Sequence, residues 1–161
     1  MICKKDLITL YEWARHTEFK LKIEPTSIGH PTKPILYCMI KLTKHIPVIR
    51  KKYIEDASVL NIISNPDILF CGYVSLQPKT EHGPHKDLNV YIEEYKRIQI
   101  PIKVPSQTDC YMIWNGNKIT WNEGEPQVYE VMDYVHEGYN YSDEPLEFLF
   151  LDVRKTCSLD I

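Results

Sequence analysis

The sequence predicts an antiparallel β-sandwich or barrel with a helical N-terminal third. Residues 97–104 alternate strictly, with isoleucine or valine at every second position, which is typical of a strand with one covered face. Asn115-Gly116 lies between two runs of apolar and aromatic residues, and it favours the tight turn of a β-hairpin because both central residues of that turn need positive φ. Apolar residues three and four apart between Leu7 and Ala14 predict an amphipathic helix.

Two helices are predicted in the N-terminal part. The first covers about residues 5–20, and the second runs from about Pro47 to Ile63. A proline is tolerated in the first turn of a helix because its missing N–H needs no partner there. Residues 24–34 between the two helices contain three prolines and one glycine, which predicts a loop.

The remainder of the chain is predicted to be mostly strands. Beyond residues 97–104 and the hairpin, strands are expected at 68–76, 128–131 and 147–153. A length of 161 residues fits one domain. We therefore expect a single domain over 1–161, with a helical part at 1–66 that packs on a β-core at 67–154.

Composition and charge exclude several classes of protein. With 19 basic and 22 acidic residues the net charge is −3, so the chain lacks the basic surplus typical of nucleic-acid binding. The longest apolar run, Ile68 to Val74, is far shorter than the ~18 residues that span a bilayer. The N-terminus lacks the features of a secretory signal. We therefore expect a cytoplasmic protein with neither nucleic-acid nor membrane partners; nothing indicates its oligomeric state.

The five cysteines do not form a recognisable pattern. Their number is odd, and no C-x-x-C sequence occurs. Neither a disulfide framework nor a zinc site built on thiolates is expected.

A candidate metal site begins in the segment Thr80–Asp87. His85 and Asp87 are two residues apart, so in extended backbone their side chains leave from one face. A third ligand must come from elsewhere, and His136 is the candidate. Two histidines and one carboxylate are the ligand set of non-haem Fe(II) oxygenases. The alternative is structural: His85 and Asp87 cap turns, and His136 lies in a polar loop.

Several motifs occur together in residues 68–153. They are Tyr73–Pro78, His85–Asp87, Arg97–Ile102, Trp121–Gly124, and the series Asp133, His136, Asn140, Ser142, Glu144-Pro145 and Phe148–Asp152. In this order they resemble the aspartyl/asparaginyl β-hydroxylase family of Fe(II)/2-oxoglutarate-dependent oxygenases. The first 65 residues carry no such resemblance.

The resemblance implies a double-stranded β-helix, the jelly roll of the cupins, and a hydroxylase that acts on an amino acid or a peptidyl side chain. It implies that His85, Asp87 and His136 bind Fe(II). Arg97 matches an arginine directed at a carboxylate in the pocket, which we assign to the substrate. Gln99 matches a position near the iron-bound end of the cosubstrate, 2-oxoglutarate.

One position departs from the family pattern. Ten residues after His136 the family has an arginine that binds the distal carboxylate of 2-oxoglutarate, and here that residue is Leu146. Leucine offers a carboxylate no partner. Lys103 is the candidate replacement, although an ordinary lysine at the rim is an alternative. His82 is a candidate substrate contact or, alternatively, an exposed loop residue.

Three other functions remain open. The chain could be a cupin-like metal enzyme that does not use 2-oxoglutarate, which Leu146 permits. It could be a non-catalytic relative that acts as a binding module. It could also be a small β-sandwich interaction protein whose histidines are structural.

Overall fold

The computed structural model describes residues 1–23, 31–43, 46–87 and 94–161. The two α-helices in these residues are α1 (Lys4–His16) and α2 (Ala57–Ile63). The thirteen strands are β1 (Ile2–Cys3), β2 (Lys22–Ile23), β3 (Ile35–Thr43), β4 (Pro47–Ile49), β5 (Ile68–Leu76), β6 (Thr80–His85), β7 (Tyr95–Lys103), β8 (Cys110–Trp114), β9 (Asn117–Ile119), β10 (Gln127–Tyr129), β11 (His136–Asn140), β12 (Leu146–Arg154) and β13 (Leu159–Asp160).

Two antiparallel sheets form the core of the protein. The larger has the order β10-β7-β12-β5-β3-β2, with β4 paired to β3, and the smaller has the order β6-β11-β8-β9. Side chains from both sheets meet in one buried cluster, where Met112 of β8 lies with Leu146 and Phe148 of β12. This arrangement is a cupin-like jelly roll, and the predicted mainly β fold with N-terminal helices is confirmed.

The alternation in β7 separates two different environments. Ile98, Ile100 and Ile102 pack in the cluster that also holds the helical side chains, on the outer side of the larger sheet. Arg97 and Gln99 point the other way, into a cavity between the sheets. The expectation that one face is open was wrong, because both faces of the strand are covered.

Helix α1 covers the outer side of the larger sheet. Its apolar stripe of Leu7, Leu10 and Ala14 is buried in the same cluster as the β7 isoleucines. The helix is shorter than the predicted 5–20 and ends at His16, since Thr17 is already extended with φ −97° and ψ 127°.

The second predicted helix was wrong over its first part. Pro47–Ile49 form β4 at the edge of the sheet, where the missing N–H of a proline does no harm, and Lys51–Tyr53 make a single 3₁₀ turn. Helix α2 begins at Ala57, because Asp56 caps it by accepting a hydrogen bond from the Ser58 backbone N–H at 2.6 Å.

Residues 1–66 are less helical than expected. The nine-residue strand β3 belongs to them and pairs with β5 along most of its length. It carries cavity-lining side chains, so this part contributes to the β-core. Of the predicted loop at 24–34, residues 24–30 lie outside the described residues, and 31–34 belong to neither a helix nor a strand.

The hairpin at Asn115-Gly116 is confirmed. Both residues have positive φ, 46° and 80°, and they join β8 to β9. Among the described residues, no helix combines the length and the apolar character needed to cross a membrane.

Candidate metal centre

A cavity of about 270 Å³ lies between the two sheets. Its two ends differ in character. One end is polar, and the other is apolar. The residues that line it are Ile35, Tyr37, Phe70, Val74, Leu76, His82, His85, Asp87, Tyr95, Arg97, Gln99, Met112, Trp121, His136, Gly138, Leu146, Phe148, Phe150 and Asp152.

The polar end brings together His85, Asp87 and His136. One ligand atom of each lies within 4.8 Å of the others. The Oδ1 atom of Asp87 is 3.5 Å from Nε2 of His85 and 3.4 Å from Nε2 of His136. All three side chains are largely buried. The structural alternative had His85 and Asp87 cap turns and His136 lie in a polar loop, whereas His136 begins β11 and the three side chains converge.

Both imidazoles are oriented by the backbone. Nδ1 of His85 lies 2.7 Å from the carbonyl oxygen of Gly83, and Nδ1 of His136 lies 3.3 Å from that of Tyr134. A carbonyl can only accept a hydrogen bond, so these contacts assign the proton of a neutral imidazole to Nδ1. Nε2 is then the atom that each ring turns toward Asp87, and it becomes a metal donor once it carries no proton.

A β-bulge positions the first histidine. In the pairing of β6 with β11, His85 lies opposite His136 and His82 lies opposite Gly138, so Gly83-Pro84 together face one residue. In a regular strand, side chains three apart point to opposite faces. Because of the extra residue, His82 and His85 both line the cavity, with ring centroids 4.1 Å apart.

Arg97 links the candidate ligand Asp87 to a second buried acid. Its Nε and Nη2 donate to the two carboxylate oxygens of Asp152 at 2.7 and 3.0 Å, and its Nη1 donates to Oδ2 of Asp87. The pair with Asp152 is bidentate, which is the strongest geometry for these groups. Asp87 therefore uses one oxygen for Arg97 and turns the other toward the imidazoles.

These contacts set the ionisation of the site. Although burial favours the protonated acid, Arg97 and the hydrogen bonds from the two histidines hold the pKa of Asp87 well below its usual range. Burial favours neutral His85, but its hydrogen bonds to Asp87 and Gly83 raise its pKa above the usual value. Burial also opposes the charge of Arg97, yet Asp152 and Asp87 raise its pKa. The site thus holds a carboxylate that stays ionised.

The other predicted site residues fall into two groups. Gln99 and His82 line the cavity, and Gln99 is 7% exposed with its Oε1 buried and without a hydrogen-bond partner in the described structure. A buried amide oxygen without a partner requires an explanation, such as a group bound beside it. Lys103 does not line the cavity. Its side chain is 40% exposed and its Nζ pairs with Glu144 at 2.5 Å.

Arg97 differs from its predicted role in one respect. The sequence interpretation assigned it to a substrate carboxylate, whereas the structure pairs it with two carboxylates of the chain itself. Asp152 was missed as a functional residue. Its position was a usable signal, because Leu146, Phe148, Phe150 and Asp152 alternate along β12 and put the acid on the cavity side.

The donors fit a divalent metal. Two donor atoms that each lie ~2.1 Å from a metal and at right angles are about 3 Å apart, close to the distances found here between Asp87 and the imidazoles. The cavity fits 2-oxoglutarate less well. Apart from histidines, the cations among its described lining residues amount to Arg97, which already pairs with two acids. A second carboxylate therefore meets no cation in the described lining.

Known proteins resemble this chain in sequence and in fold. Residues 45–156 match the aspartyl/asparaginyl beta-hydroxylase family. A comparison with curated proteins finds no significant match. An oxidoreductase of the 2OG-Fe(II) oxygenase family from Burkholderia pseudomallei superimposes with a TM-score of 0.59 at 13% identity, covering 88% of this chain and 76% of that one. A predicted oxalate decarboxylase from Thermotoga maritima gives 0.51 at 13% identity, covering 85% and 94%.

The structural similarity is to the fold, whereas the sequence match extends over more than half of the chain and includes all three converging side chains. The chain belongs to the aspartyl/asparaginyl β-hydroxylase family.

Proposed function

We propose that this protein is a non-haem Fe(II) dioxygenase that hydroxylates an unactivated C–H bond with a 2-oxo acid as cosubstrate. His85, Asp87 and His136 bind the metal in this proposal. The convergence of two imidazole Nε2 atoms and one ionised carboxylate at the end of a cavity carries it. Membership of the family supports the same reaction class, and 2-oxoglutarate is the cosubstrate that the sequence resemblance implies.

The ligand set suits this chemistry. Two histidines and one carboxylate leave several positions on a metal open, and iron with such a set supplies the activation of dioxygen. The overall reaction consumes one dioxygen and one 2-oxo acid. One oxygen atom enters the new hydroxyl group, and the other enters the acid that remains when CO₂ leaves.

The chain itself would orient and insulate the site. Arg97 keeps Asp87 ionised, and the carbonyls of Gly83 and Tyr134 keep both imidazoles in the metal-binding tautomer. The ring of Phe150 lines the cavity beside these groups, with its centroid 4.9 Å from the Arg97 guanidinium, and would reduce the access of water.

We infer that the substrate is an amino acid or a peptidyl side chain. The family is named for hydroxylation of aspartyl and asparaginyl residues. A cavity of about 270 Å³ suits small groups, since pockets for drug-sized ligands run to roughly 300–1,000 Å³. Arg97 keeps two of its five N–H groups free of carboxylates, and these or His82 are the candidate substrate contacts.

A second candidate is a metal enzyme that uses no 2-oxo acid. The observation in its favour is the lack of a cation for a second carboxylate among the described lining residues. A non-catalytic relative that binds the metal alone would share this feature.

Oxygen uptake separates these candidates. The protein is made metal-free, supplied with Fe(II) and ascorbate, and mixed with a panel of 2-oxo acids that includes 2-oxoglutarate. The proposal predicts slow uptake of oxygen that depends on a 2-oxo acid, with the shortened acid formed in step, and no such uptake in His136→Ala. Stoichiometric iron without oxygen uptake for any 2-oxo acid would instead support the second candidate or a binding relative.

A further inference from the structure

The cavity separates its charges from its apolar surface. Asp87, Arg97 and Asp152 all lie at one end, because Asp152 is the register partner of Arg97 where β12 pairs with β7. Leu146 lies at the other end of β12. Six residues at ~3.3 Å each separate the backbones of Leu146 and Asp152 by about 20 Å.

The far end of the cavity is a continuous apolar row. Leu146 lies opposite Leu76 in β5, and Leu76 lies opposite Ile35 in β3. All three side chains are buried and line the cavity, and Val74 and Phe148 follow in the next row. This end offers a hydrocarbon group close contacts. The hydrogen-bond donors beside these five side chains are neutral ones, the Tyr37 hydroxyl and the Trp121 indole N–H.

Lys103, the candidate replacement for the missing arginine, is surrounded by acidic side chains. Lys103 pairs with Glu144 at the surface. The hydrogen bond to Glu144 raises the pKa of Lys103, and the charges of Glu147 and Glu123 raise it further. A ligand carboxylate at this position would have to displace Glu144 and would face two further acids. Lys103 is therefore poorly placed to bind an anion inside the cavity.

The charge balance of the polar end points to one carboxylate. A divalent metal and Arg97 bring three positive charges, and Asp87 and Asp152 bring two negative ones, with the histidines neutral. The single remaining positive charge is neutralised by a ligand with one carboxylate. A dicarboxylate would leave one negative charge uncompensated at the apolar end, which is costly.

We propose that the cavity selects a 2-oxo acid with a single carboxylate and an apolar side chain, rather than 2-oxoglutarate. The keto-acid group lies at the metal, and the hydrocarbon side chain points along the cavity toward Ile35, Leu76 and Leu146. This inference rests on the proposed function, since it names the class of cosubstrate for the same site.

Calorimetry on the Mn(II)-loaded protein tests the inference without turnover. The probes are 4-methyl-2-oxovalerate, which has one carboxylate and a branched hydrocarbon chain, and 2-oxoglutarate. The expected result is at least tenfold tighter binding of 4-methyl-2-oxovalerate. Tighter or equal binding of 2-oxoglutarate overturns the inference and leaves the proposed function intact. Binding of neither acid to the loaded protein overturns both, while the metal site itself stands.

Three variants test which residues cause the preference for 4-methyl-2-oxovalerate over 2-oxoglutarate. Leu146→Arg is expected to reverse it, because a guanidinium then faces the far end of the ligand, whereas the volume-conserving Leu146→Met is expected to leave it unchanged. Lys103→Met should not alter the affinity for either acid. A specific loss of 2-oxoglutarate binding in Lys103→Met would identify that lysine as the clamp and contradict the inference. If Leu146→Arg does not fold, the wild-type comparison and Lys103→Met still decide the question.

Discussion

His136 lies directly opposite His85 in the pairing of β11 with β6, and their ring centroids are 4.3 Å apart. The same residue faces Trp114 on the other side, where β11 pairs with β8. A slip of one residue would turn every side chain of β11 to the opposite face. The register of this central strand of the smaller sheet therefore builds the candidate metal centre.

Replacement of either histidine should abolish stoichiometric metal binding. His85→Ala and His136→Ala each remove one of three donors, and the loss of affinity should exceed the ~10–100-fold that is typical for partners outside the ligand set. Metal content per chain after dialysis against Fe(II) or Mn(II) measures this, and circular dichroism checks that the fold is kept.

His82→Ala is the matched control for these variants. His82 lines the same cavity and its ring lies beside that of His85, but it is not one of the three converging residues. Its removal should leave one metal ion per chain. Metal retained by both His85→Ala and His136→Ala would contradict the assignment of these residues as ligands. Metal lost only from His82→Ala would show that His82 is a ligand instead.

Asp152, the buried acid that pairs with Arg97, should contribute more to stability than a surface acid does. Asp152→Asn removes the charge that holds Arg97 in a buried bidentate pair, and breaking such a pair costs about 3–5 kcal/mol. Urea unfolding of the metal-free protein measures the loss. Asp143→Asn is the control, because Asp143 is 92% exposed and pairs with Lys79 at the surface, a contact worth ~0–1 kcal/mol. Equal effects of the two substitutions would show that the buried pair contributes no more than a surface one.

Asn140 should be a structural residue and not a ligand-binding one. It is fully buried, its Nδ2 donates to the carbonyls of Leu76, Gln77 and Glu144, and its Oδ1 accepts from Ser142. Asn140→Ala leaves these groups without partners and should cost roughly 2–4 kcal/mol of unfolding free energy. Metal content at saturation should not change. The exposed Asn61→Ala should shift stability by no more than ~0.5 kcal/mol.

A comparable loss of unfolding free energy from Asn61→Ala would show that the cost of Asn140→Ala is not specific to its buried hydrogen bonds. A loss of metal from folded Asn140→Ala would show that the network supports the centre directly. Urea unfolding and metal analysis of the same samples distinguish these outcomes.

Local patterns were sufficient for much of the fold. The bounds of β5, the hairpin turn at Asn115-Gly116 and the alternation of β7 each depend on neighbouring residues, and the sequence contains them. The same holds for the shared face of His85 and Asp87. His136 was a candidate third ligand by residue type, and the family resemblance supported it, but nothing local to either segment specifies their pairing.

The remaining features depend on contacts between distant segments. Strand β3 has no clear alternation, and its place beside β5 follows from tertiary pairing. The bulge at Gly83-Pro84 is visible only against the register of β11. The family resemblance assigned Arg97 to a substrate carboxylate, and its pairing with Asp152, 55 residues away, is not visible in the sequence. Charge pairs of this kind require the coordinates.

A buried lysine outside the cavity gives the protein a distinct pH dependence. Lys41 is 1% exposed, and its Nζ donates to the carbonyl oxygens of Ile63 and Asn65 at 2.8 Å. Burial, opposed by the nearby Cys71, lowers the pKa of Lys41 to about 8. In the unfolded chain the same amine has its ordinary pKa of about 10.4. The folded protein therefore releases this proton at a lower pH than the unfolded chain does.

The sign of the effect follows from the protons bound in each state. Between about pH 8 and pH 10.4 the unfolded chain holds a proton that the folded protein has lost, so this group makes folding more favourable as the pH rises. The free energy of unfolding of the wild type should thus increase by about 2 kcal/mol between pH 8 and pH 10 relative to Lys41→Met, since one pKa unit corresponds to ~1.36 kcal/mol. Urea unfolding of both proteins at several pH values measures the difference, and Lys20→Met controls for the loss of one exposed amine. Parallel curves for the wild type and Lys41→Met would mean that both carbonyls hold a fully charged ammonium group throughout this range, and that burial alone does not shift its titration.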